Sequence, residues 1–217
     1  MARGKFITLE GGEGAGKSTQ ARLLAEFLRG QGVDVVVTRE PGGSPFAERV
    51  RELVLDAATP QPSQLAEALL FNAARADHLE RLIEPALARG NWVICDRFSD
   101  STRVYQGEAG GMTASVIDAL DEIVVGERKP DLTFVVDLDP VVGLARVAER
   151  RASAPPAAAD RYEMRSTQYH EKLRDGFLRI ARSEPIRCVV VDGFQSVDQL
   201  AIDIRGHVQA RLLRRRA

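Results

Sequence analysis

Short runs of consecutive apolar residues alternate along this chain with longer stretches whose apolar residues recur every three or four positions. The short runs fall at 6–10, 33–38, 92–96, 132–137 and 188–191. Continuous hydrophobicity, as opposed to strict alternation, predicts strands covered on both faces, as in a parallel sheet. The periodic stretches predict helices. The first runs over 18–29, with Ala21, Leu24, Ala25 and Leu28 on one face and Gly30 and Gly32 ending it. Ser44-Pro45 starts another, an N-cap serine with proline in the first turn, which runs to about Asp56 with Phe46, Val50, Leu53 and Val54 inward. A Thr-Pro-Gln-Pro-Ser loop at 59–63 precedes a long helix over 64–83, and Pro85 begins or kinks its last segment, which stops at Gly90. Further helices are expected over 113–126, 141–151 (opened by Pro140), 163–183 and 197–213. Strand–helix alternation of this kind predicts a three-layer α/β/α fold with a five-stranded parallel sheet and right-handed crossovers.

The chain has 217 residues, which suits one domain. Its formal net charge of −1 argues against nucleic-acid binding through bulk electrostatics. The basic C-terminal stretch Arg211–Arg216 reads as a helix end whose charges suit the helix dipole. The two cysteines, Cys95 and Cys188, lie in or beside strand runs without metal-ligand spacing, which predicts buried thiols in a reducing compartment. No long apolar stretch suggests a signal peptide or a membrane span, so a cytoplasmic location is expected. The one low-complexity patch, 152–159, breaks the helical pattern and reads as a mobile loop.

Polar clusters follow the predicted strands, where open α/β sheets bind ligands. After the first comes Gly11-Gly12-Glu13-Gly14-Ala15-Gly16-Lys17-Ser18, which fits G-x-x-x-x-G-K-[ST] between a strand and a helix. The glycines let backbone N–H groups turn inward around a di- or triphosphate; Lys17 reaches the outer phosphates and Ser18 places a hydroxyl on Mg²⁺. Asp96 ends the third strand beside this loop, where a carboxylate serves Mg²⁺ directly or through water. Arg97 follows, and a guanidinium holds phosphate bidentately. Arg146, Arg150, Arg151 and Arg161 flank the low-complexity patch, and arginines there can swing over phosphates as a lid spanning about 146–162. Phe71 and Arg75 are one helical turn apart, placed to stack on a base and bond its edge. His78, His170 and His207 lack ligand spacing and read as structural.

Taken together, the runs 10–19, Thr38-Arg39-Glu40-Pro41-Gly42-Gly43, Asp96-Arg97-Phe98, Ser101-Thr102, Tyr105-Gln106-Gly107, Lys129-Pro130-Asp131 and Asp160-Arg161-Tyr162-Glu163 resemble the bacterial thymidylate kinases over nearly the whole chain. These are phosphate-loop nucleoside-monophosphate kinases. The resemblance implies phosphorylation of dTMP to dTDP with ATP and Mg²⁺. It implies that Gly11–Ser18 and Thr19, with Arg146 and Gln195, hold ATP; that Ser18, Asp96 and Glu40 serve the metal; and that Arg97 bridges donor and acceptor phosphates. Phe71 then stacks on thymine and Arg75 bonds its edge. Ser101, Thr102 and Gln106 meet the base or its surroundings, Tyr105 packs on the deoxyribose, Pro41 shapes the wall, and Arg51 meets the acceptor phosphate. Some relatives carry an arginine in the phosphate loop where this chain has Gly14; the match is to the subtype whose lid supplies it, here Arg150 or Arg151. Lys17, Arg97 and Glu13 complete the catalytic set. The family is homodimeric through helix packing, which points to the 65–83 and 113–126 helices. Two rivals remain: a kinase of the same fold with a different acceptor, and a GTPase-type switch or nucleotide-binding module, which the absence of an Asn-Lys-x-Asp run disfavours.

Overall fold

The apolar runs become strands β1 (Phe6–Glu10), β2 (Val35–Arg39), β3 (Trp92–Asp96), β4 (Leu132–Asp137) and β5 (Cys188–Asp192) in a computed structural model, which describes residues 2–153 and 160–213. They form one parallel sheet in the order β2-β3-β1-β4-β5. The register sets Leu9 opposite Asp96 and Glu10 opposite Val135, so the carboxyl ends of β1 and β3 open side by side. Period-two alternation sends Ile7, Leu9, Ile94, Phe134 and Val136 to one face and Phe6, Val93, Cys95 and Val135 to the other. Helices α1 (Lys17–Gly30) and α9 (Val197–Val208) cover the first face. On the second lie α4 (Glu84–Ala88), α8 (Thr167–Ser183) and the wide turn at Leu79–Ile83 that joins α4 to α3 (Gln64–His78). The result is a three-layer α/β/α fold.

Several elements differ from the sequence reading. Strand β2 begins at Val35 and sits at the sheet edge, partly exposed along its length, so it is not covered on both faces. In α2 (Pro45–Leu55) the buried residues are Ala47, Val50 and Val54; Phe46 and Leu53 point outward. The Leu79–Ile83 turn ends two residues before Pro85, whose missing N–H cannot close an ordinary helical bond to Arg81, and the wider turn accommodates this. Helix α8 starts at Thr167, not Glu163, because Ser166 caps it by accepting from the Tyr169 N–H. The last helix ends at Val208 and continues as a wide turn to Leu213. Helix α5 (Ser99–Thr102), extended by a wide turn at Arg103–Glu108, has no counterpart in the apolar pattern, because its inward residues are largely polar. Helices α6 (Ala114–Val124) and α7 (Pro140–Ala152) lie close to where the pattern put them. Most of the expected loop at 152–159 and Arg214–Arg216 fall outside the described residues.

Candidate active site

The phosphate loop leaves β1 with Gly11, Gly14 and Gly16 all at positive φ, a region open to glycine at little cost. Two of these positions are also closed sterically. A Cβ on Gly11 would sit 2.4 Å from the Val136 carbonyl oxygen, and one on Gly14 would sit 2.1 Å from that of Gly143 in α7. An arginine at position 14 is therefore incompatible with the way α7 docks on the loop. Lys17 folds back over the loop, donating to the carbonyls of Gly11 (3.1 Å) and Gly12 (2.7 Å). Burial, with Arg97 nearby, lowers its pKa to about 8. Ser18 donates to the Asp96 carboxylate.

Arg97 is the only non-glycine residue at positive φ among the described residues, at 70°. Its guanidinium donates to the Gly11 carbonyl (3.0 Å), Ser101 Oγ (3.3 Å) and Glu13 Oε1 (2.8 Å), and lies 5.0 Å from the centre of the Tyr105 ring. The Tyr105 hydroxyl donates to the same Glu13 oxygen at 2.7 Å. Burial alone would raise the Glu13 pKa, but Arg97, Lys17 and the Tyr105 hydrogen bond outweigh it and hold the carboxyl at about 2.

A second network closes the other end. Glu40 is buried; its Oε2 accepts from Arg75 Nε (2.8 Å) and its Oε1 contacts His78 Nδ1 (3.1 Å). In place of the expected metal contact, this carboxylate anchors Arg75. His78 Nε2 reaches the Thr38 hydroxyl at 2.8 Å, so this histidine is structural. Arg75 also donates to Asn72 Oδ1, the Phe98 carbonyl and Thr102 Oγ1. Four of its five N–H groups are taken, and one on Nη1 remains. Thr102 thus holds Arg75, and Ser101 holds Arg97; neither stands alone toward the cleft. Gln106 donates to Glu67 (2.8 Å), and Arg51 donates to the Pro41 carbonyl (2.8 Å).

These groups line one cleft of about 340 Å³ at the carboxyl ends of β1 and β3. Its walls include Glu13 to Thr19, Glu40, Pro41, Arg51, Phe71, Arg75, Asp96, Arg97, Ser101, Thr102, Tyr105, Gln106 and Arg150. Gly11 and Gly12 lie beneath, holding Lys17. Three expected residues lie outside the cleft. Arg146 donates to the Gly193 carbonyl, Gln195 donates to Asp203, and Arg151 pairs with Glu163 at 3.4 Å. Arg150 reaches the same Glu163 at 3.9 Å. Arg161 does not hang over the phosphate loop: it is buried and donates to the carbonyls of Asp56 and Thr59. This pins Asp160–Tyr162 against the end of α2. Tyr162 then enters the cleft, 5.4 Å from the Tyr105 ring and 6.3 Å from the Phe71 ring, completing an aromatic floor. Sequence reasoning assigned no role to Arg39, Leu55, Asp160 or Tyr162, all of which line the cleft. The only signal was the Asp160–Glu163 run itself, which does not reveal that the chain folds back there.

The arrangement has a phosphate loop at one end, an aromatic and arginine pocket at the other, and the partly buried Arg97 between. Proteins of similar sequence and structure give the family. The thymidylate kinase family model matches residues 9–204. The thymidylate kinase of Afipia carboxidovorans is 54% identical over 190 residues, covering 88% of this chain and 82% of that protein. The thymidylate kinase of Caulobacter vibrioides is 51% identical over 212 residues, covering 98% and 99%. The crystal structure of thymidylate kinase from Ehrlichia chaffeensis matches with a TM-score of 0.77 at 35% identity, covering 95% of this chain and all of that one. The chain belongs to the thymidylate kinase family.

Proposed function

We propose that this cleft transfers the γ-phosphoryl group of ATP directly to the 5′-phosphate of dTMP, giving dTDP and ADP. The observation that carries the reading is Arg97, held at once by the phosphate loop through Gly11 and Glu13 and by the acceptor side through Ser101 and Tyr105. The reaction needs positioning and charge neutralisation more than covalent help, because the acceptor phosphate is already an anion. Lys17 leaves the Gly11 and Gly12 carbonyls to meet the outer phosphates, and the loop amides cradle them. Phe71 stacks on thymine, the remaining Arg75 N–H meets its edge, and Gln106 lies beside it. Tyr105 packs on the deoxyribose, where its ring leaves little room for a 2′-hydroxyl. Arg51 faces the acceptor phosphate. Arg146, which reaches from α7 to the Gly193 carbonyl of the β5–α9 turn, and Gln195 of that turn serve the adenosine end.

The Ser18 hydroxyl and Asp96 carboxylate are in contact and offer the all-oxygen donors that suit Mg²⁺, which takes one or two protein ligands plus substrate phosphates. Bound there, the ion would neutralise charge on the bridging phosphate oxygens. The chain acts as one domain whose 146–162 segment is a lid, with Arg150 as its catalytic arginine, because Arg150 lines the cleft and Arg151 does not. Phe46 and Leu53 on α2, Leu65 and Leu69 on α3, and Val116 and Ile123 on α6 are exposed apolar residues on helices packed in series, and they support a homodimer through this face. The two buried free thiols fit a cytoplasmic enzyme, and no described helix is long and apolar enough to cross a membrane.

The mechanism is tested with ATP made chiral at the γ-phosphorus by oxygen-isotope labelling. Direct in-line transfer inverts the configuration in dTDP. Retention would require a phosphoenzyme and overturn the mechanism.

A further inference from the structure

Glu10, the last residue of β1, is fully buried and has no part in the reaction described above. Its two carboxylate oxygens hold the four residues that directly follow Arg97 at both ends. Oε1 accepts from the Phe98 N–H at 2.7 Å, and Oε2 accepts from the Ser101 hydroxyl at 2.7 Å. With its proton directed to Glu10, Ser101 Oγ presents a lone pair to Arg97 Nη1 at 3.3 Å. The same Nη1 donates to the carbonyl of Gly11, the residue next to Glu10. Arg97 needs this support. Its φ of 70° is a conformation that costs a non-glycine residue energy, and such a conformation persists only where surrounding contacts over-determine it.

We infer that Glu10 is a positioning residue for phosphoryl transfer: it sets the Arg97 turn through Phe98 and Ser101 and so aims the guanidinium between the two phosphates. This rests on the role of Arg97 proposed above. Burial and the neighbouring Asp100 oppose the charge on Glu10, and the Ser101 and Phe98 hydrogen bonds and Arg97 work against that penalty.

Four variants test it: Glu10→Ala, Glu10→Gln, Ser101→Ala and the Glu10→Ala/Ser101→Ala double. Each is assayed for kcat and for both KM values, below its own melting temperature. A misaimed Arg97 acts on the transition state, so kcat falls while both KM values stay within about threefold. Glu10→Ala should lose about 100-fold in kcat, the scale of a displacement of about 1 Å at a reacting group. Glu10→Gln keeps the acceptor for the Phe98 N–H and holds Ser101 by the reverse hydrogen bond, its amide N–H donating to Oγ, and should recover to within about tenfold of the parent. Ser101→Ala should lose about tenfold, and the double variant should be no worse than Glu10→Ala, because the two act along one path. A lowered melting temperature with kcat within twofold of the parent, in either Glu10→Ala or Ser101→Ala, would reduce Glu10 to packing and overturn the inference. Losses that multiply in the double variant would overturn it as well. If Glu10→Ala does not fold, Glu10→Gln and Ser101→Ala decide alone. An Arg97→Ala control separates the two levels: near-normal turnover there sinks the assigned role of Arg97, whereas a crippled Arg97→Ala beside a normal Ser101→Ala sinks only the inference about Glu10.

Discussion

Gly143 lies in the second turn of α7, where helix propensity alone says that alanine is better by about 0.8–1.0 kcal/mol. The structure says the opposite. A Cβ at this position would sit 2.3 Å from the carbonyl oxygen of Glu13, short of ordinary contact by about 1 Å. Neither partner yields easily: the obstacle is phosphate-loop backbone, and a Cβ on Gly14 would in turn sit 2.1 Å from the Gly143 carbonyl oxygen. Overpacking of this kind costs about 1–3 kcal/mol, which exceeds the propensity gain through most of its range. The alternative to strain is a retreat of α7 by about 1 Å. Arg150 lies seven residues beyond Gly143, two helical turns away on the same face, so a retreat carries it away from the cleft it lines. Gly143→Ala should therefore lower kcat by about 10- to 100-fold and lower the melting temperature by roughly 2–4 °C per kcal/mol lost. The assays are coupled ADP release with both substrates varied, and thermal unfolding of the free protein. A melting temperature raised by a few degrees with unchanged kcat would show that α7 does not dock on the loop in this way.

Lys17→Ala and Arg97→Ala should each abolish most turnover while the protein still folds; near-normal rates in either would remove its assigned role. Phe71→Ala should raise the dTMP KM by about tenfold or more with a smaller effect on the ATP KM, as loss of a stacking face predicts; equal effects on both would move thymine elsewhere. Glu13 supplies an acid-side signature. Its folded pKa of about 2 lies below the unfolded value, so its stabilisation is present above about pH 4.5 and is lost as pH falls toward 2. Urea unfolding of Glu13→Gln should thus lose less stability than the parent across that interval, and parallel losses would refute the Arg97–Glu13 coupling.

Much of this architecture was legible because fully covered strands declare themselves: β1, β3 and β4 match their apolar runs end to end. The phosphate loop was legible because its glycines meet a backbone requirement that position alone reveals. Other features depend on partners distant in sequence. Helix α5 turns Ser99, Asp100 and Thr102 inward, where Arg187 satisfies Asp100 from 87 residues away. Glu40 looked like a metal ligand because nothing local shows that Arg75 and His78 arrive from α3 to take both its oxygens. Phe46 and Leu53 looked like core because helical spacing does not say which of two apolar faces meets the sheet and which is left exposed. Arg161 looked like a phosphate ligand because its acceptors are backbone carbonyls, which every sequence has.

The central claim is that one cleft joins a phosphate loop to a thymine pocket. It is tested most directly by measuring kcat/KM for ADP release from ATP and Mg²⁺ with dTMP, dUMP, UMP, CMP, AMP and GMP in turn. A strong preference for dTMP, with the ribonucleotides at background, is the predicted result. Preference for another acceptor would contradict the pocket built from Phe71, Arg75 and Tyr105. No acceptor-dependent release at all would contradict the kinase reading itself.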